Sequence, residues 1–364
     1  MIRTMAAVAS DHLIALSGWT QSAGKRVDLP DCSLIVATYQ RPAEAEELVT
    51  SLAGMPDVPG EVLIVDGSPG HETEEALRKV VRDVPLPFQL TYVRSPKGLT
   101  KQRNVGVDLS TKPFVYFLDD DAAPRQGYFT ELRRVLVKDE AETIGAVGAC
   151  IVNEINKPMN RRWRIRRALR IIPRSLPYVY NDVGTSAPSG LLKPFSGVRD
   201  VDIFPGGACL IRRSVFSSER FSEFFAGYSY GEDVEMSLRI RRKWRVVCCG
   251  DAHVWHYGIQ SKGGRPAPFT KGRMEVRNRY FIWRRYSPHA SLLNRIRFHI
   301  DLLFLFVMDL AWFAVRPWRV QNLRHAFGLV SGAFSCVISP PESVDPAPVQ
   351  RYRLASAPGD GSLG

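Results

Sequence analysis

A mostly parallel central sheet with helices on both faces, an α/β fold, follows from the order of apolar runs along this 364-residue chain. Short, β-branched apolar runs alternate with amphipathic stretches, and the connections between them are brief. Two of the strand-like runs end directly in carboxylates, and in an open α/β sheet ligands bind beyond the carboxyl ends of the strands. Hydrophobic residues make up 45% and charged residues 24% of the chain, which excludes collagen, low-complexity disorder and a disulfide-stapled mini-protein. No uninterrupted apolar run reaches the roughly 20 residues of a spanning helix, which argues against a polytopic membrane protein.

Residues 1–30 show no clean period and read as a variable lead-in; Asp11 and His12 break its apolar run, so no signal peptide is expected. Cys32 to Thr38 is the first strand. Pro42 stops it and suits a helix start, and Leu48, Val49 and Leu52 share one face of a helix over Ala43 to Ala53. Glu61 to Asp66 is a second strand, residues 72–82 a second helix, Leu90 to Val93 a third strand and Leu99 to Asp108 a third helix. Phe114 to Leu118 is a fourth strand that runs, with no turn residue between, into Asp119-Asp120-Asp121. Residues 143–152 form another strand, and 181–200, rich in Gly, Ser and Pro, a long loop. Val201 to Arg212 returns to strand character around Gly206-Gly207, Glu232 to Arg242 is helical, and Trp244 to Cys249 is a last strand. The chain thus divides into the lead-in, a main domain over 31–270 with halves 31–125 and 126–270, a basic, aromatic and apolar helical extension over 271–338, and a Pro-, Ser- and Gly-rich tail over 339–364 that is expected to be disordered.

The formal net charge of +12 is unevenly spread. Residues 1–160 hold 17 Lys/Arg against 22 Asp/Glu, and residues 161–364 hold 32 against 15; residues 161–174 alone carry seven arginines and no acid. The second half therefore calls for an anionic partner, and nucleic acid, an anionic membrane surface and a phosphorylated substrate all fit at this point. The six cysteines include no CxxC pair and no zinc spacing, and several sit in apolar runs, so buried free thiols in a reducing cytosol are expected.

Three adjacent aspartates at a strand end repel one another unless a cation or many donors offset them. Oxygen ligands suit a hard ion, Mg²⁺ or Mn²⁺, whose chemistry is displacement of a phosphate leaving group; a solvated turn with capping aspartates is the alternative. Gly206-Gly207 lets backbone approach a ligand or simply makes a tight turn. Glu232 and Asp233 open a helix, where acids also favour the macrodipole.

Thr38-Tyr39-Gln40-Arg41-Pro42, Asp66-Gly67-Ser68, Gln102-Arg103-Asn104-Val105-Gly106, Phe117-Leu118-Asp119-Asp120-Asp121, Gly206-Gly207-Ala208 and Gly231-Glu232-Asp233 occur in the order seen in family 2 inverting glycosyltransferases of the GT-A fold. The chain resembles that family over roughly residues 31–285. The resemblance implies a GT-A nucleotide-binding fold and transfer of a sugar from a nucleoside diphosphate-sugar to a hydroxyl acceptor, glycan or lipid-linked. It implies that Asp66 recognises the base, that Thr38, Tyr39 and Arg41 line the nucleotide pocket, and that Lys97, Gly98, Arg103 and Asn104 approach base, ribose and diphosphate. Asp119 and Asp120 would face ribose or sugar, and Asp121, with Asp119 and His256, would hold Mn²⁺ or Mg²⁺. Gly206 and Gly207 would lie beside the donor sugar, and Asp233, with Glu232 as neighbour, would be the general base. Arg277-Asn278 matches a recurrent family pair, and the cationic loop Ser261 to Arg265 either closes over the diphosphate or is a solvated loop. The QxxRW motif and multiple spanning helices of the processive synthases are missing from this sequence, so single additions are expected. A sugar nucleotidyltransferase and a non-catalytic anionic-surface binding protein are the alternatives.

Lys271 to Tyr286 interleaves cations and aromatics, but no nucleic-acid module surrounds it, so nucleic acid is not the expected partner. Leu302 to Val315, interrupted by Asp309, and Ala326 to Ile338 are apolar but short for a span, and Trp312, Trp318 and arginines flank them. They read as interfacial helices on an anionic leaflet, with a pair packed on the core or an oligomer contact as the alternative. The expected location is the cytoplasm, peripherally on the inner face of the cell membrane, in cell-envelope biosynthesis.

Overall fold

The computed structural model describes residues 13–24, 27–225, 227, 229–258, 266–341 and 351–355. The chain opens with β1 (Ile14–Leu16) and β2 (Gly18–Gln21), then alternates β3 (Leu29–Thr38), α1 (Pro42–Ala53), β4 (Pro59–Asp66), α2 (Glu72–Asp83), β5 (Gln89–Arg94), α3 (Leu99–Leu109) and β6 (Phe114–Asp119). The second half continues with β7 (Ala122–Pro124), α4 (Tyr128–Val137), β8 (Ile144–Ile151), α5 (Arg161–Ala168), β9 (Val198–Asp200), β10 (Ala208–Arg212), α6 (Glu232–Ile240) and β11 (Arg245–His256). It closes with α7 (Pro268–Tyr286), α8 (Leu292–Val315), α9 (Val320–Ile338) and β12 (Tyr352–Leu354).

Ten strands form one sheet in the order β2-β5-β4-β3-β6-β10-β8-β11-β7, with β9 beside β11. The block β5-β4-β3-β6 is parallel. Its strands are buried on both faces and therefore read as continuous apolar runs. β10 then enters antiparallel to both β6 and β8, and β8 pairs in parallel with β11. Helices cover both faces, as expected: α1, α2 and α4 bury their apolar sides in one cluster, α3 and α6 in the other. All six cysteines are buried and free.

The sequence reading is corrected in three regions most of all, while β9 also lies within the expected loop 181–200 and β11 runs on to His256 past the expected end at Cys249. The lead-in holds β1 and β2, and β2 joins the sheet edge along β5, where Trp19 stacks on Tyr92 at 5.8 Å. Part of the tail is ordered as β12, which pairs with β1; strands of three residues are too short to show a period. Residues 1–12, 342–350 and 356–364 lie outside the described residues. The third departure is α8, which begins ten residues before the expected start at Leu302 and is long and apolar enough to cross a membrane by length and composition. Arg295, Arg297 and Asp301 look like breaks in an apolar run, yet all are good enough helix residues to continue it.

α7 and α9 pack backbone to backbone. A Cβ on Gly328 would collide with the Phe269 carbonyl oxygen, and one on Gly332 would lie 2.8 Å from that of Arg273. Gly328→Val must push the helices apart and is expected to cost about 1–3 kcal/mol, seen as an earlier denaturation midpoint. An unchanged midpoint would mean that the two helices do not meet at this glycine.

Candidate active site

The register of the parallel block decides where the site forms. Thr38 pairs with Asp66 and Ala37 with Asp119, so β3, β4 and β6 end side by side. Beyond β6 the chain turns into β7, whose Ala122 pairs with His256 at the end of β11; this sets the imidazole beside Asp121. A cavity of about 1010 Å³ opens over these ends. Thr38, Tyr39, Arg41, Lys97, Gly98, Arg103, Asp119, Asp120, Asp121, Gly206, Gly207, Glu232, Asp233 and His256 all line it.

Two expected donor-binding residues do not reach the cavity. Asn104 is fully buried and spends its amide on Phe221, donating to its carbonyl at 2.9 Å and accepting from its N–H at 3.0 Å. It pins the segment before α6 onto α3. Asp66 is also buried; its oxygens accept from the Ser68 N–H at 2.8 Å and the Tyr92 hydroxyl at 3.0 Å. A third, Asp120, lines the cavity but turns toward protein, accepting from Thr38 Oγ1 at 2.7 Å and from Arg41 at 2.5 Å. Burial pushes its carboxyl up to about 6 against the opposing pull of Arg41 and Thr38.

Asp119, Asp121 and His256 remain turned toward one another. Each offers one ligand atom, and these atoms all lie within 4.8 Å of one another. His256 Nε2 is 3.2 Å from Asp121 and 3.7 Å from Asp119. Two carboxylates and an imidazole make a donor set that fits a divalent cation. The sequence reading missed Glu154, which meets His256 Nδ1 at 3.0 Å, and Asn153, which exchanges hydrogen bonds with the His256 backbone at 2.6 and 3.0 Å. They lie 102 and 103 residues from His256 and are brought to it by the β8–β11 pairing, so no local pattern announces them. Hydrogen bonds that the imidazole donates to Asp121 and Glu154 raise it to about 10, so an ion binding there displaces a proton. A carboxylate on the far ring nitrogen orients a histidine ligand. Glu154→Gln is expected to weaken Mn²⁺ binding about 10–100-fold, measured by titration of the free ion signal in electron paramagnetic resonance. Unchanged affinity would make Glu154 a bystander.

Across the cavity, Gly231 adopts a left-handed φ of 88° and starts α6, presenting Glu232 and Asp233. Glu232 accepts from Arg103 at 3.1 Å, and the same guanidinium reaches Asp119 at 3.5 Å. Burial and the adjacent Asp233 push Glu232 up to about 8 against Arg103. Burial also raises Asp233, opposed by the Val234 N–H at 2.8 Å and by Arg103. Gly206-Gly207 lies between the two acidic groups. A Cβ on Gly206 would sit 2.8 Å from that of Asp233, and one on Gly207 would collide with the Asp119 carboxylate. Close approach, not turn conformation, is what requires these glycines. At the mouth Lys97 donates to the Tyr39 hydroxyl at 2.9 Å, and Gln102 ties the ends of β3 and β4 by donating to the Thr38 and Val65 carbonyls. The far end of the cavity is walled by Trp163, Arg166, Asn278, Arg279 and Leu305. The cationic loop Ser261 to Arg265 lies outside the described residues.

A family model for Glycosyl transferase family 2 matches residues 33–218, just over half of the chain. Succinoglycan biosynthesis protein ExoM of Rhizobium meliloti (strain 1021) is 33% identical over 138 residues, 35% of this chain and 40% of the relative, so the match spans well under half of that protein's length. Among solved structures, the chain is similar to the mannosyltransferase PcManGT from Pyrobaculum calidifontis in complex with GDP-Man and Mn²⁺, at 16% identity and a TM-score of 0.48 over 85% of this chain and 87% of that one. It is also similar to GalNAc-T7 with UDP, GalNAc and Mn²⁺, at 14% identity and a TM-score of 0.48 over 86% and 58% of the two chains.

Proposed function

The chain belongs to glycosyl transferase family 2, and from that premise we propose that it moves a single sugar from a nucleoside diphosphate-sugar to a hydroxyl acceptor with inversion at the anomeric carbon. One observation carries the reading: the Asp119–Asp121–His256 cluster and Asp233 line the same cavity, with Gly206-Gly207 between them. Asp119, Asp121 and His256 would hold Mn²⁺ or Mg²⁺, which supplies Lewis-acid stabilisation of the departing diphosphate. Thr38, Tyr39, Lys97 and Gly98 line the nucleotide end. Asp233 takes the proton of the acceptor hydroxyl as that oxygen attacks the anomeric carbon, and the bond to the diphosphate breaks on the opposite face. No covalent enzyme intermediate forms. Glu232 is held by Arg103 at 3.1 Å, and this leaves Asp233 as the carboxylate free to meet the acceptor.

The acceptor is a glycan or a lipid-linked sugar, in keeping with the succinoglycan role in the name of ExoM. The enzyme works in the cytoplasm, peripherally on the inner face of the membrane. A thermal-shift screen of nucleotide sugars with Mn²⁺ identifies the donor, and product analysis tests the reaction. Release of free nucleoside diphosphate is expected. Release of pyrophosphate instead would make the chain a nucleotidyltransferase, and no shift with any nucleotide sugar would overturn the reading.

A further inference from the structure

α8 and α9 carry their polarity inside out. Asp301 is fully buried and accepts from Arg279 at 2.7 Å and from Arg166. Asp309, also buried, pairs with His325 at 2.6 Å and Arg162 at 3.5 Å. The opposite side of α8 is apolar: Leu292, Ile296, Ile300, Leu303 and Val307 recur every three or four residues and are 42–75% exposed. α9 repeats the pattern with Phe327, Val330, Phe334 and Val337, 49–80% exposed, while its small residues face α7. A helix on the surface of a protein in water presents the reverse arrangement. Two adjacent apolar stripes of this length mark a contact surface.

We propose that the outer faces of α8 and α9 dock on an anionic lipid bilayer, lying in the plane of the interface. Charge selects this occupant. Arg324 is exposed one turn before Phe327 on the same face of α9, so a cation flanks that apolar stripe. The α8–α9 turn adds Arg319 and Trp318, the latter 74% exposed, and tryptophan with arginine is the signature of the headgroup layer. Acidic headgroups complement these cations, whereas a second copy of the chain would set cation against cation. The buried pairs at Asp301 and Asp309 bind α8 to the catalytic body along its length, so it offers lipid one face and does not cross the bilayer. Trp163, Arg166, Arg279 and Leu305 also wall the far end of the cavity, so docking holds that end at the membrane. Delivery of a lipid-anchored acceptor into it rests on the transferase reading; the docking surface itself does not.

The full chain is sedimented with vesicles of phosphatidylglycerol and phosphatidylcholine at low salt. Most of it is expected to pellet, with at least a tenfold lower partition on pure phosphatidylcholine and release by high salt. Leu303→Glu with Val307→Glu is expected to cut partition at least tenfold, and Arg319→Gln and Arg324→Gln about fivefold each. Wild-type melting curves and nucleoside diphosphate release show that these variants are folded and active. Wild-type chain left in the supernatant with anionic vesicles overturns the proposal. So does a soluble dimer that the Leu303→Glu and Val307→Glu pair turns into monomer with pelleting unchanged, because the face then belongs to a second copy. A chain that pellets as expected but releases no nucleoside diphosphate keeps the docking surface and overturns the transferase reading instead.

Discussion

Asp233→Asn is expected to lower turnover about 10²–10⁴-fold while leaving donor affinity close to that of the wild type. The amide has the shape of the carboxylate and its oxygen still accepts from the Val234 N–H, but it takes no proton from the acceptor hydroxyl. Glu232 does not replace it, since its carboxylate is tied to Arg103 at 3.1 Å. Glu232→Gln should therefore cost far less than Asp233→Asn. The same electrostatics set the pH profile. Burial raises the pKa of Asp233, a base acts only when ionised, and turnover consequently falls as pH drops through that raised value. The acid limb of kcat should lie above the ordinary aspartate value of about 3.9 and should vanish in Asp233→Asn. Initial rates of nucleoside diphosphate release at saturating donor and acceptor check both points. An asparagine variant that turns over normally would remove Asp233 from the chemistry.

How much of this was legible beforehand varies along the chain. The parallel block from Cys32 to Asp119 was legible because strands buried on both faces must be continuously apolar, and the ends of β4 and β6 are marked by acids. The second half was harder. β10 is inserted antiparallel, β11 shifts register between Cys248 and His253, and α4 starts at a left-handed Gly127 with no side-chain cap to announce it. In α8 the inward Asp301 and Asp309 look like interruptions until their partners on α5, α7 and α9 are seen. At the site, residue type and order foretold which strand ends would meet but not which way each side chain turns. Asp66 stands at the end of β4 and Asn104 in the middle of α3, and their polar atoms bond Ser68, Tyr92 and Phe221. Glu154 carries no signal of its own, because only the pairing of β8 with β11 makes it a neighbour of His256.

Removing the divalent ion with a chelator is expected to reduce turnover by about 10³-fold or more, the scale of several kcal/mol of lost stabilisation on a departing diphosphate. The Asp119–Asp121–His256 cluster is built so that Asp121 is indispensable to it. Asp121 is buried and sits 3.2 Å from His256 Nε2, whereas Asp119 is more exposed and lies 3.7 Å from it. Asp121→Ala should match the chelated wild type in rate, and added Mn²⁺ should rescue only the wild type. Asp120 supplies the contrast within the same triplet. Its oxygens serve Thr38 and Arg41, so Asp120→Asn disturbs the end of β3 but leaves the three ligand atoms in place. That variant should bind Mn²⁺ with near-normal affinity, where Asp121→Ala should not. Full turnover in the presence of chelator would take the cluster out of the reaction and leave Asp119, Asp121 and His256 as an ion-paired turn at the end of β6.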